Sequence, residues 1–328
     1  MKNSEKQRIL LFDMDLIAYR SAAAAEQRSV EVIHKASSRV KEFKTRTEFK
    51  EFLSEKNFEY KEDDYEIKDI QVCEPDTHAY QIVKTQVNSI TEGLEADFTE
   101  CYVGGKNNFR VNLELPELYK GNRKGMLRPL LLDKVKEYAL NKYAGGLIEG
   151  YEVDDHVVVR SHELIKSGHD PVIISLDKDC KGCVGTKYFN WTEDKPKIIE
   201  VPAFGYLLYN KEKKKVEGLG LNFYCYQLLR GDPSDNYTPS DLHKQRFGDM
   251  SVVNLLKDCK TVNELFTYSE NKFKEWFPEP ITYTSHLGKE VTKDYKQIID
   301  LYHQCAYMKR IANDSTTFYD LWDEFKND

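Results

Sequence analysis

Between Gly150 and Gly168 the chain reads GYEVDDHVVVRSHELIKSG, and no other stretch restricts its fold and chemistry as tightly. Val153, Val157, Val158, Leu164 and Ile165 recur at helical spacing, Arg160, Glu163 and Lys166 fall on the other side, and Gly168 is a stop signal. The spacing predicts an amphipathic helix whose first turn holds Asp154 and Asp155, with Glu152 just before it. One acid at a helix start is ordinary capping, favoured by the free N–H groups and the dipole. Three within four positions exceed what capping needs. They repel one another unless a cation or a proton intervenes, and clustered hard oxygen ligands are what Mg²⁺ prefers.

The same arrangement recurs along the chain. Arg8 to Asp13, RILLFD, reads as a buried strand that ends in an acid, with Asp15 two positions on. Pro171 to Asp177, PVIISLD, is a second such strand, followed by Asp179. Leu219 to Arg230 reads as a helix that runs into GDPSDN, where Asp232 and Asp235 can aim at one point from a tight turn. Strands alternating with helices imply a parallel sheet, and in open α/β sheets the carboxyl edge is where sites are built. Four carboxylate clusters at such ends supply what metal-dependent phosphoryl chemistry requires, since two divalent ions about 4 Å apart need one or two carboxylates each.

A net charge of −7 argues at first against a nucleic-acid partner. Setting aside the nine carboxylates of these clusters leaves +2 for the remainder, so basic patches facing phosphate are compatible with the composition. Glu117 to Leu132 supplies one: Lys120, Arg123, Lys124 and Arg128 stand around Tyr119, a density that suits phosphate contact with base stacking. Residues 27–76 form a second charged stretch. Its basic half holds Lys35, Arg39, Lys41, Lys44, Arg46 and Lys50, and its acidic half interleaves Phe49, Phe52, Phe58 and Tyr60. It reads as a nucleic-acid arm or, preferably, as a surface excursion whose halves pair with each other.

The length of 328 residues points to two domains or one elaborated α/β domain. No run of 18 apolar residues offers a membrane span, and the N-terminal apolar run is too short for a signal-peptide core, so an intracellular, soluble protein is expected. Seven scattered cysteines point to free thiols. Cys180 and Cys183 form a CxxC without the partner pair a zinc site needs, and buried thiols are the expectation. Further helices are expected over Leu16 to Glu26, Thr77 to Ala96 and Leu130 to Tyr143, with short strands at Glu100 to Val103, Lys187 to Trp191 and Lys197 to Val201. Leu242 to Asp328 has a mainly helical pattern.

LLFDMDLIAYR, YKGNR, YEVDD, SLDKD and GDPSDN follow one another from Leu10 to about Asn236. In content and order they resemble the motifs of the flap endonuclease and 5′-nuclease family. The YKGNRKG form and the insertion after the first helix look most like phage-encoded 5′→3′ exonucleases of replication and recombination. The resemblance implies an α/β, three-layer PIN-like 5′-nuclease fold with a mostly parallel central sheet. A catalytic core over 1–236 would carry the charged insertion, and a mainly helical region over 237–328 would hold a reduced helix-hairpin element for DNA near Phe247 to Leu256. It implies hydrolysis of phosphodiester bonds from 5′ ends of duplex DNA, and of flaps and RNA in RNA–DNA hybrids. Mg²⁺, with Mn²⁺ as a substitute, would be held as two ions by Asp13, Glu152, Asp154, Asp155, Asp177, Asp179, Asp232 and Asp235. Lys120 and Arg123 match the basic residues that polarise the scissile phosphate, Tyr119 the aromatic near the terminal base and Arg20 a phosphate contact, with Lys124 and Arg128 beside them. The implied partners are DNA and replication or recombination proteins, and the implied location is the cytoplasm of a host cell.

The chain departs from that pattern in three places. CYVGGKNNFR has Gly105 near the position of a family aspartate, and only 28 residues separate Arg123 from Glu152, too few for a full helical arch. The glycine-rich hairpin that usually follows the last acidic motif is missing. Asp15 has no family counterpart and is expected to make local hydrogen bonds. Two alternatives remain open: a haloacid-dehalogenase-type phosphatase, which LLFDMD and GDPSDN resemble less well, and a non-catalytic DNA-binding member of the nuclease fold.

Overall fold

The computed structural model describes residues 6–55 and 61–328. Phe58 and Tyr60, two of the aromatics of the charged stretch, lie outside the described residues. The chain forms two compact units, one from residues 1–15, 90–126 and 143–328 and the other from 16–89 and 127–142.

The first unit is built on a six-stranded sheet. Its order is Gly145–Gly150, Phe98–Asn108, Arg8–Asp13, Asp170–Ile174, Lys187–Phe189, Ile199–Glu200, with every neighbour parallel except the last pair. The strand Arg8–Asp13 is central because Ile9 to Phe12 are apolar on both faces and bury completely or nearly so. Its register sets Asp13 beside Tyr102 and Phe12 beside Ile174, so the ends of Arg8–Asp13 and Asp170–Ile174 fall at one edge while Phe98–Asn108 runs on past it. The helix Val153–Lys166 lies on this sheet through Val153, Val157, Val158 and Leu164, which pack with Ile9, Leu11, Tyr102 and Ile173. The predicted apolar stripe is thus the buried one, while Ile165 is exposed.

A larger core gathers the helices Gly220–Arg230, Asp249–Leu256, Val262–Trp276, Tyr295–Ala306 and Phe318–Phe325. The expected helical C-terminal region is present, interrupted by an antiparallel hairpin of Ile281–Thr284 and Glu290–Lys293. A second hairpin, Tyr206–Asn210 with Lys215–Leu219, was not legible as strands. The strand expected over four residues from Glu100 extends instead over Phe98–Asn108, because its outer neighbour Gly145–Gly150 also pairs with it.

In the second unit the charged stretch is folded. Strands Glu26–His34, Val40–Phe43 and Tyr65–Cys73 form an antiparallel sheet, and the helix Arg46–Glu55 buries Phe49 and Leu53 with Val30, Val32 and Phe43. Opposite charges pair across it, Arg46 with Asp69 at 2.8 Å and Lys50 with Glu62 at 3.6 Å. The helix Leu132–Lys142 belongs to the same unit, where Tyr138 stacks on Tyr80 at 4.5 Å. Among the described residues no helix is long and apolar enough to cross a membrane.

Candidate metal and phosphate centre

Asp13 closes the central strand and is buried there. Its carboxylate accepts the Asp15 N–H at 3.1 Å and the Ser175 hydroxyl at 3.4 Å. Burial, reinforced by Asp15 and Asp177, pushes Asp13 up to about 7. Asp15 turns to the neighbouring strand and accepts the Gly104 N–H at 3.0 Å. A Cβ at position 104 would run into that carboxylate, and one at 105 into the carboxylate of Glu149. Those two glycines leave room for acids contributed by other segments.

Past the strand Asp170–Ile174, Asp177 starts a 3-10 turn over Lys178–Gly182 and accepts the Asp179 N–H at 2.9 Å. Asp179 accepts the Gln227 side-chain amide at 2.5 Å. Burial and then Asp177 hold Asp179 well above the usual carboxylate range. The loop after Gly220–Arg230 is closed at its neck, with Asp232 N–H donating to the Tyr237 carbonyl at 2.9 Å and Tyr237 N–H to the Asp232 carbonyl at 3.2 Å. Gly231 enters it with φ +72°, a left-handed conformation that also brings backbone of Tyr237 and Thr238 into the space of a Cβ. Asp232 accepts the Ser234 N–H and hydroxyl at 2.8 and 2.7 Å and pairs with Lys178 at 2.8 Å. Burial raises Asp232, but Lys178 and the Ser234 hydrogen bonds together outweigh it and the group lies below its ordinary value.

Carboxylate oxygens of Asp179, Asp232 and Asp235 lie within 4.8 Å of one another. Asp235 joins this trio to the basic segment. It accepts from Tyr119 OH at 2.6 Å and from Arg123 at 2.6 Å, with the Lys120 ammonium at 3.6 Å. Lys120 has φ +56°, and its N–H donates to the Asp235 carbonyl at 2.8 Å. Its ammonium pairs with Glu152, which also accepts from Tyr119 OH at 2.9 Å. Burial pushes Glu152 up, and Lys120 and Arg110 bring it below its usual value. Asp154, by burial and by its neighbours Glu152 and Asp155, is held well above the carboxylate range. The centre therefore combines carboxylates that stay charged beside cations with others that favour protons until positive charge arrives.

Two of the expected site residues are held by contacts inside the protein. Tyr119 is only 4% exposed, with its ring in the helical core 6.2 Å from Tyr237 and its hydroxyl on Glu152 and Asp235. Such a ring is not presented to a base, because the apolar segment before YKGNR folds it inward. Asp155, expected as a metal ligand, is fully buried and bound by the guanidinium of Arg110, at 2.5 Å and 3.0 Å, and by the Lys309 N–H at 3.0 Å. Within one unit, Glu152, Asp154 and Asp235 surround Lys120 and Asp235 binds Arg123, while Asp177 acts on Asp13, Asp154 and Asp179, and Asp179 groups with Asp232 and Asp235. Lys124 caps the turn Gly121–Arg123 and is exposed. Arg20 and Arg128 belong to the second unit and are exposed, Arg128 with Asp133 at 3.4 Å.

Three participants escaped the sequence reading. Lys178 had a signal, since it stands between two acids in SLDKD. Gln227 lies on the inner face of an expected helix. Arg110 had none: it occurs singly in NNFRVN and gains its meaning only from residues far along the chain.

The chain is similar in structure to a bacteriophage T5 flap endonuclease. That protein, solved as a pseudo-enzyme-product complex with DNA and metal ions, has 16% identity and a TM-score of 0.45, over 82% of this chain and 86% of that one. A T5 protein co-crystallised with metal ions has 16% identity and a TM-score of 0.44 over the same shares. A lysine-to-alanine mutant of the T5 5′-exonuclease has 13% identity and a TM-score of 0.42, over 92% of this chain and 85% of that one. No protein-family description matches the chain, and no curated protein does.

Proposed function

We propose that the protein is a divalent-metal-dependent nuclease of the flap endonuclease type that releases nucleotides from 5′ ends of duplex DNA. The observation that carries this reading is the junction at Asp235, where a trio of carboxylates within 4.8 Å meets Lys120 and Arg123. An all-oxygen donor set suits Mg²⁺ or Mn²⁺, and a pair of cations beside it suits a phosphate. Two ions would be held by Asp13, Glu152, Asp154, Asp177, Asp179, Asp232 and Asp235. When bound, they supply charge neutralisation and an activated water for in-line attack.

The chain's own residues prepare that reaction. Lys120 and Arg123 now pair with Glu152 and Asp235, and they turn to the phosphoryl oxygens as charge develops there. The Tyr119 hydroxyl, lying between the same two acids, fixes their orientation. Arg20, Lys124 and Arg128 are exposed cations that fit backbone phosphates of the substrate. Flaps and RNA in hybrids are further substrates of this reading, replication or recombination proteins its partners, and the cytoplasm of a host cell its setting.

The test is a linear duplex labelled at the 5′ or the 3′ end, incubated with Mg²⁺ or with EDTA, beside Asp179→Asn. Short products from the 5′ label that need Mg²⁺ and vanish in the variant are expected. Hydrolysis of a small phosphomonoester, with no cleavage of duplex, flap or hybrid, would overturn the nuclease reading.

A further inference from the structure

Arg110 is buried to 1% exposure, and all of its hydrogen-bonding capacity is used inside the protein. Nε donates to the Gln304 carbonyl at 3.1 Å, Nη1 to Glu152 at 3.3 Å and Asp155 at 2.5 Å, and Nη2 to Asp155 at 3.0 Å and the Tyr307 carbonyl at 2.9 Å. A guanidinium has five N–H donors, and these contacts engage each of them. Arg110 therefore has nothing left to offer a phosphate. Asp155 is equally committed, with one oxygen receiving Arg110 and the Lys309 N–H and the other receiving Arg110. A divalent ion at Asp155 would have to displace one of these donors or stand beside a fixed positive charge.

We infer that Arg110 is a positioning residue and the built-in cation of the centre. It withdraws Asp155 from the metal-ligand set and locks the start of the helix Val153–Lys166 to the segment 304–309. Glu152 and Asp154 are thereby held beside a neutralised carboxylate, and the ions are left to the remaining acids. This inference rests on the metal-dependent reading of the same centre.

The number of bound ions tests it, measured by Mn²⁺ titration with electron paramagnetic resonance. Replacing the ion pair by an apolar one, Arg110→Met with Asp155→Leu, is expected to keep the wild-type number of Mn²⁺ ions, since buried pairs are replaceable by packed apolar side chains. Asp155→Asn, which retains hydrogen-bonding atoms and changes little in volume, is expected to do the same and serves if the double variant does not fold. Asp179→Asn is expected to lose an ion. Loss of one ion by the folded double variant or by Asp155→Asn would overturn the inference while leaving the nuclease reading in place. Absence of any bound Mn²⁺ in the wild type would overturn both. Arg110→Met alone uncovers a buried carboxylate, so its thermal midpoint should rise further on adding Mn²⁺ than the wild type's does. An equal or smaller rise would count against Arg110 as the cation of the site.

Discussion

The Lys178 ammonium lies 2.8 Å from a carboxylate oxygen of Asp232. A residue placed between Asp177 and Asp179 thus carries its charge to the loop after the helix Gly220–Arg230 while still feeling both acids. Lys178→Met removes the positive charge that holds Asp232 ionised. With the ammonium half exposed, the loss of stability without metal is about 1 kcal/mol. Added Mg²⁺ should raise the thermal midpoint of the variant more than that of the wild type, because the ion no longer competes with a side chain. Melts with and without Mg²⁺ give the comparison directly.

Tyr119→Phe leaves Glu152 and Asp235 without the hydroxyl that lies 2.9 and 2.6 Å from them. The ring stays in the core, so folding is retained with a cost of about 1–2 kcal/mol for the lost bond to charged partners. Activity should fall by about 10-fold through misplacement of the two acids, while affinity for a 5′-ended duplex hardly changes. A drop in DNA affinity as large as the drop in turnover would instead point to a ring that stacks on the substrate.

Gly104→Ala sets a methyl group against the Asp15 carboxylate, which cannot move without giving up the Gly104 N–H. A destabilisation of about 1–3 kcal/mol is expected. Gly105→Ala meets only the end of the exposed Glu149 side chain and should cost less. Urea denaturation of the two variants ranks them, and equal midpoints would refute the assigned contact.

His303 is buried, hydrogen-bonded to Tyr224 OH at 2.7 Å and to the Thr316 carbonyl at 2.8 Å, and burial pushes it down to about 4. A base with a depressed value in the folded chain gives stability that is full above its unfolded value near 6.5 and is lost as pH falls toward 4. The span corresponds to about 3 kcal/mol. Asp13, raised to about 7, acts with the opposite sign and loses stability as pH rises through that value. The difference in unfolding free energy between wild type and His303→Gln isolates the first effect. It should shrink between pH 6.5 and 4, and a constant difference would sink the assignment.

Much of the centre was legible because its acids end apolar runs. RILLFD, PVIISLD and the helix from Val153 show both the element and the place where a charge emerges from it. The sheet in residues 26–73 was hidden by composition: Val30 and Val32 alternate with charged neighbours, which is a strand signal of period two, but the opposite-sign blocks dominate the reading. The burial of Tyr119 has no signal in its basic neighbours, and its ring packs in the core that holds the helices Gly220–Arg230 and Tyr295–Ala306. Asp155 and Asp154 are adjacent in sequence and equal in type, and the arrival of Arg110 and the Lys309 N–H distinguishes them. Contacts of that kind have no local period to read.

The bonds from Arg110 to the Gln304 and Tyr307 carbonyls join residues 194 and 197 positions apart. On a ribosome, the guanidinium and the first turn after Glu152 are made long before residue 309 emerges from the exit tunnel. Until then Arg110 lacks two of its acceptors and Asp155 one of its donors, so the centre cannot set. Assembly of the acidic centre thereby waits for residues 304–309, an interval in which the growing polypeptide carries the acids but not their final order.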